Sequence, residues 1–117
     1  MKSTINILTK EAKRLNESLN SFSENSKKNY AKKFKAVQKK YTEILSAIEI
    51  LEDKADTEII NKNFTYTVRF LKDEVSIYNK METTIKNQKD ECPSIWNILG
   101  ENKKSLLFAI NALENIN

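Results

Sequence analysis

Residues 26–56 read SKKNYAKKFKAVQKKYTEILSAIEILEDKAD, and this stretch is the strongest indication of the fold. Its apolar residues recur at alternating intervals of four and three positions, which is the spacing of one face of an α-helix. The members of this seam are Tyr30, Phe34, Val37, Tyr41, Ile44, Ile48, Leu51 and Ala55. With Ser26 as its N-cap, the pattern predicts a helix over 27–54 that is about 42 Å long. A rod of this length needs neighbouring helices along its seam.

The segments before and after this helix in the sequence have apolar seams of the same spacing. The first runs from Ile5 to Phe22 and predicts a helix over about 4–23, which ends in the polar turn at 23–26. The other predicts a helix over about 57–90. Residues 63–70 within it also alternate as an amphipathic strand does, but the chain offers no second strand to pair with them. We therefore predict a helix there, with a bend near 61–67.

The last segment keeps helical spacing through the single glycine. Its seam consists of Cys92, Ile95, Leu99, Asn102, Leu106, Ala109, Leu113 and Ile116. Pro93 suits a first helical turn, and Gly100 predicts a bend that divides the segment into two helices. The four segments together predict one all-α domain over 1–117, an antiparallel helical bundle whose last helix is broken at Gly100 and whose spine is helices two and three. A homodimer formed by overhanging helix ends is the alternative, with Asn102 setting the register.

The composition excludes several functional classes. The chain has 117 residues with no His, one Gly, one Pro and one Cys. Without His there is neither the usual general base nor the usual zinc ligand, and a single Gly rules out a glycine-rich phosphate loop. We therefore expect no enzyme, no metal and no cofactor. We expect no signal peptide and no membrane span, and a single Cys cannot form an internal disulfide, so we expect a cytoplasmic protein.

The net charge of +4 is divided unevenly along the chain. Residues 1–42 carry a net charge of +8 and residues 43–117 a net charge of −4. The positive half contains a stripe of lysines at helical spacing, Lys28, Lys32, Lys35 and Lys39, with Lys33 and Lys40 on the opposite flank. This stripe is suited to phosphates of a nucleic acid or to an acidic protein surface, and it is also typical of a solvated helix face.

Two other sets of side chains are candidates for contact with a partner. Acidic residues cluster near the end of helix two, where the helix dipole disfavours them: Glu49, Glu52, Asp53 and Asp56. Trp96 lies off the seam and is either a lid on the bundle or an interface anchor. Tyr30, Phe34 and Tyr41 interleave with the lysines and could stack on bases, but their register predicts core residues first.

In size, absence of catalytic groups and an Asn-, Lys- and Ile-rich composition typical of AT-rich genomes, the chain resembles small phage and mobile-element inhibitors of the anti-CRISPR kind. This resemblance implies a non-catalytic protein that blocks a larger protein or ribonucleoprotein, such as a nuclease. One alternative is a protein that binds the nucleic-acid backbone through the lysines of 28–40. Another is an intracellular bacteriocin immunity protein, because many of those are small basic helical bundles.

Overall fold

The computed structural model describes residues 2–53, 63–88 and 90–116. Its elements are α1 (Lys2–Asn20), α2 (Glu24–Asn29), α3 (Ala31–Leu51), α4 (Thr65–Ile85), a short 3₁₀ turn (Lys86–Gln88) and α5 (Pro93–Glu114). No strand occurs in these ranges. The predicted all-α bundle is confirmed, with α1, α3, α4 and α5 as its four substantial helices.

The bundle consists of two antiparallel hairpins. In the first, α1 packs against α3, and the rings of Phe22 and Phe34 meet near the turn with their centroids 5.3 Å apart. In the second, α4 packs against α5. Lys72 pairs with Glu114 at 3.3 Å and Glu82 pairs with Lys103 at 3.1 Å, so one helix ascends as the other descends.

Contacts between the hairpins fix their relative direction. Thr4 of α1 hydrogen-bonds Ser105 of α5 at 2.6 Å, while Glu11, two turns along α1, accepts a hydrogen bond from Tyr66 at the start of α4. Because α4 and α5 are antiparallel, α1 runs against α4 and along α5, and α3 runs along α4. The prediction that helices two and three form the spine is wrong, since α3 and α4 belong to different hairpins and share fewer contacts than the helices within each hairpin.

The core lies where the two hairpins overlap, in the middle of the molecule. Its buried apolar residues are Leu8, Ala12, Leu15, Ile44, Ala47, Phe64, Leu71, Leu106, Ala109, Ile110 and Leu113. Residues 16–42, at the turn of the first hairpin, contain no buried residue, and neither do the described residues of 72–105, at the turn of the second. We call these segments the lysine arm and the apolar arm. They project in opposite directions, in keeping with molecular dimensions of 56 × 33 × 18 Å.

The predicted second helix is divided in the structure. The single helix expected over 27–54 is replaced by α2 and α3, with Tyr30 between them at φ −123° and ψ 43°. The predicted cap, Ser26, lies inside α2 and donates its backbone N–H to the side chain of Ser23, the observed N-cap, at 3.1 Å. Capping at Ser23 begins the helix about one turn earlier than predicted.

The predicted break at Gly100 is wrong, because α5 is continuous from Pro93 to Glu114. A mid-helix glycine costs about 1 kcal/mol relative to alanine, which weakens a helix without ending it. The helical spacing of the apolar residues continues on both sides of Gly100, so the two halves of the segment stay in one helix. Pro93 does occupy the first turn, as predicted.

Residues 65–70 are helical, as predicted, and the strand alternative does not occur there. Helix α4 begins at Thr65, where Asn63 Oδ1 accepts hydrogen bonds from the Thr65 backbone N–H at 3.1 Å and hydroxyl at 2.6 Å. The part of the predicted third helix from 57 to 62 lies outside the described residues. Within the ranges described, every helix is too short or too polar to cross a bilayer, which agrees with the prediction of no membrane span.

Candidate functional site

The lysine arm carries the largest concentration of charge in the molecule. Residues 16–42 contain seven lysines and two acids, Glu17 and Glu24, so their net charge is +5. Of the lysines predicted to bind a partner, all six are exposed: Lys28, Lys32, Lys33, Lys35, Lys39 and Lys40. Among the described residues, no carboxylate pairs with any of these six ammonium groups. Their charges are therefore available to an external anionic surface.

The break at Tyr30 divides the predicted stripe between two helices. Lys32, Lys35 and Lys39 remain at helical spacing on α3, whereas Lys28 lies on α2. Lys33 and Lys40 occupy another face of α3, and the Lys40 ammonium group lies 5.0 Å from the centre of the Tyr66 ring. The structure thus keeps three lysines in one row and places Lys40 beside the junction of the hairpins.

The end of the lysine arm holds a small hollow lined by Ser21, Phe22, Ser26, Tyr30 and Lys33. The Phe22 ring meets Phe34 edge-on at 73°, which fixes both rings. Tyr30 is 58% exposed, so the prediction that it is first a core residue is wrong. The cause is the position of the arm, because α4 and α5 do not extend over this end of the first hairpin.

A polar cluster joins the two hairpins at the base of the lysine arm. Glu11 of α1 is buried and accepts hydrogen bonds from Arg14, through both Nε and Nη2, and from the Tyr66 hydroxyl at 2.8 Å. Burial alone would raise the pKa of Glu11, but the hydrogen bonds from Arg14 and Tyr66 and the nearby positive charges outweigh it and lower this pKa. Burial and the bond to Glu11 raise the pKa of Tyr66 to about 12.

A second buried carboxylate fixes the start of α4. Glu43 of α3 accepts two hydrogen bonds at one oxygen, from the Thr67 backbone N–H and from the Thr67 hydroxyl, both at 2.6 Å. The N–H groups of the first helical turn have no partner within their own helix, so a carboxylate there satisfies a free donor and complements the helix dipole. Glu43 therefore caps α4 from a neighbouring helix.

No pattern in the sequence indicates the roles of Glu11 and Glu43. Both carboxylates are buried and hydrogen-bonded, and in the described part of the chain no buried side-chain polar atom lacks a partner. Nearby, burial raises the pKa of Glu74, and the charges of Glu11 and Asp73 raise it further. The cluster has the character of a structural junction, because its hydrogen-bonding groups are already occupied by one another.

The predicted acidic set lies at the far end of α3 from the lysines. Glu49 is exposed on the last turns, Glu52 is the C-cap, and Asp53 follows with φ 60°. Asp56 lies outside the described residues. The left-handed conformation of Asp53 ends the helix, a position for which Gly, Asn and Asp are suited. Ten residues of helix, about 15 Å, separate Lys39 from Glu49, so the two charged sets are separate surfaces.

Trp96 lies on the apolar arm and not with the charged surfaces. It is half-buried between α4 and α5, in a hollow shared with Asn79, Lys86 and the Glu82–Lys103 ion pair. Cys92 and Ile95, predicted to lie on the packed seam of the last helix, are exposed. Within the described ranges, no group of three acidic or cysteine side chains is arranged to hold a metal ion.

Comparison of the chain with protein-family models, with curated proteins and with solved structures finds no match.

Proposed function

We propose that this chain is a non-catalytic binding protein that inhibits a larger nucleic-acid-handling partner, in the manner of the anti-CRISPR proteins that it resembles in size and composition. The lysine arm is the contact surface. The observation that carries the proposal is the row of exposed, unpaired lysines on a projecting arm that contributes no buried residue to the core.

A segment without buried residues adds little to the stability of the bundle, and like charges placed close together repel one another. Seven lysines on about two turns of α2 and three turns of α3 therefore cost stability unless an anionic surface neutralises them. Lysine has a charged group on a long, flexible side chain but cannot make the bidentate hydrogen bonds of arginine. The arm is therefore suited to a surface rich in phosphate or carboxylate groups and not to recognition of a particular base sequence.

A ribonucleoprotein nuclease offers such a surface, because its guide and target strands lie along a protein channel. The lysine arm would bind the phosphates of the guide strand and so block pairing of the guide with its target.

The test uses a panel of purified RNA-guided DNA nucleases, each loaded with its guide RNA, in a plasmid-cleavage assay. We expect the wild-type protein to inhibit at least one member of the panel, and an arm variant in which Lys32, Lys35 and Lys39 are changed to Glu to lose that inhibition. The control variant changes three exposed lysines elsewhere, Lys10, Lys86 and Lys104, to Glu. Absence of inhibition throughout the panel, or equal loss in both variants, would refute the proposal.

One observation favours a second candidate, direct binding of a single nucleic-acid strand. Tyr30 is 58% exposed beside Phe22 and Lys33, and aromatic rings among lysines form the stacking platforms of proteins that bind single strands. Fluorescence anisotropy with a labelled oligonucleotide at rising salt separates the two candidates. A direct binder loses affinity steeply with salt and is weakened by Tyr30→Ala, whereas an inhibitor that recognises the assembled partner has little affinity for the bare strand.

A further inference from the structure

The apolar arm presents an apolar groove on its surface. Ile77, Met81 and Ile95 expose 43, 44 and 52% of their surfaces, and Ile85 and Leu99 complete the groove between α4 and α5. Ile98, beside it, is 56% exposed. Single exposed apolar residues are common on protein surfaces, but several that line one groove indicate a contact surface.

The groove continues the side of the second hairpin that the first hairpin covers. Leu71 and Leu106 are fully buried. Towards the end of the arm, Ile85 lies about four turns beyond Leu71 and Leu99 about two turns beyond Leu106, each on the same side of its helix. The bond between Thr4 and Ser105 marks the level at which α1 begins, so residues 93–102 extend beyond the cover of α1. A pair of helices cannot bury this side without a further layer of structure.

We propose that a second copy of this chain covers this groove, so that two apolar arms pack on each other in a symmetric dimer. The balance of charge selects this occupant. Residues 72–105 contain six lysines and six acids, so this arm is neutral, whereas the lysine arm carries +5. A neutral apolar surface is not repelled by its own copy and offers no attraction to a nucleic acid.

The shape of the monomer sets the arrangement of the dimer. Helices α1 and α3 of each copy already cover the second hairpin up to the level of Ser105. The two copies therefore overlap only along their apolar arms, which lie antiparallel to each other about a twofold axis. This arrangement brings Asp90 and Glu91, at the turn of one copy, towards Lys80 in the groove of the other. Opposite charges then meet at the rim of the interface.

The size of the surface sets the expected affinity. The two helices of the arm are together about 20 Å wide, and the free stretch of ten residues is about 15 Å long, which gives an outline on the order of 300 Å² per copy. A standard interface buries about 800 Å² per partner, so we expect a dimer with a micromolar dissociation constant. The dimer would carry its lysine arms at opposite ends and would offer two anionic surfaces a simultaneous contact.

Sedimentation equilibrium of the full chain tests this inference, which does not depend on the proposed function. We expect the weight-average mass to rise from 13.6 kDa towards twice that value as the concentration approaches about 200 µM. Met81→Glu and Ile95→Glu place a charge in the interface and should each raise the dissociation constant at least about 30-fold. Both positions are exposed in the monomer, so the circular dichroism spectrum should not change.

Leu107→Glu is the matched control, because Leu107 is 47% exposed on α5 but lies outside the groove. This variant should associate like the wild type. A wild-type mass that stays at 13.6 kDa over the whole concentration range would overturn the inference. Association that survives Ile95→Glu, or that Leu107→Glu abolishes, would also overturn it, because the dimer would then use another surface.

Discussion

Replacement of Glu43 by Ala tests the inter-helix cap of α4. The change removes the acceptor of two 2.6 Å hydrogen bonds, and it leaves the Thr67 N–H and hydroxyl buried, since Thr67 has no exposed surface. Removing one partner of a buried hydrogen bond costs about 1–3 kcal/mol, and more when the lost partner is charged. Because both bonds end on one oxygen, we expect the free energy of unfolding to fall by about 3–4 kcal/mol.

The free energy of unfolding is measured by urea titration with helical circular dichroism as the signal. Glu43→Gln keeps an acceptor oxygen but loses the charge at the helix N-terminus, so we expect a smaller loss of about 1–2 kcal/mol. Glu49→Ala, at an exposed acid on the same helix, is the control and should change stability by less than about 0.5 kcal/mol. A loss below about 1 kcal/mol for Glu43→Ala, or one equal to that of Glu49→Ala, would contradict the cap.

Three further predictions concern stability. The pKa of Tyr66 is raised from 10.0 to about 12, so its contribution to stability is complete below pH 10 and is lost as the pH rises towards 12; Tyr66→Phe should remove that part of the pH dependence in urea titrations. The pKa of Glu11 is lowered from 4.5, so its contribution is complete above pH 4.5 and is lost below it; Glu11→Gln should flatten the acid limb of the same curve. Gly100→Ala should stabilise the protein by about 0.5–1 kcal/mol in thermal unfolding, because a Cβ at this position meets nothing within 4 Å; a loss of stability would show that the helix needs glycine there.

The sequence predicted the helices because helix formation here follows a local pattern. The alternating intervals of three and four residues are visible within each segment, and they correctly identify α1, most of α3, most of α4 and α5. The breaks were harder to predict. Tyr30 fits the seam yet lies between two helices. Gly100 suggests a bend, but a single glycine weakens a helix without ending it, and α5 is continuous.

The pairing of the helices could not be predicted, because it depends on contacts between distant residues. Glu43 hydrogen-bonds Thr67, which is 24 positions away in the sequence, and Glu11 hydrogen-bonds Tyr66, which is 55 positions away. In the sequence both acids lie off the apolar seams, as ordinary surface residues do. The lysine arm was identifiable because charge spacing on a helix is local, and its lysines are exposed in the structure. That Tyr30 is exposed beside them follows from where the second hairpin ends, which no local pattern encodes.

We propose that the chain acts by contact through its lysine arm. The most direct measurement is the concentration for half-maximal inhibition of a guide-loaded nuclease by the wild type, by the Lys32, Lys35 and Lys39 to Glu variant, and by the Lys10, Lys86 and Lys104 to Glu control. We expect this concentration to rise at least about 30-fold for the arm variant and less than about 3-fold for the control. Equal inhibition by all three proteins would contradict it.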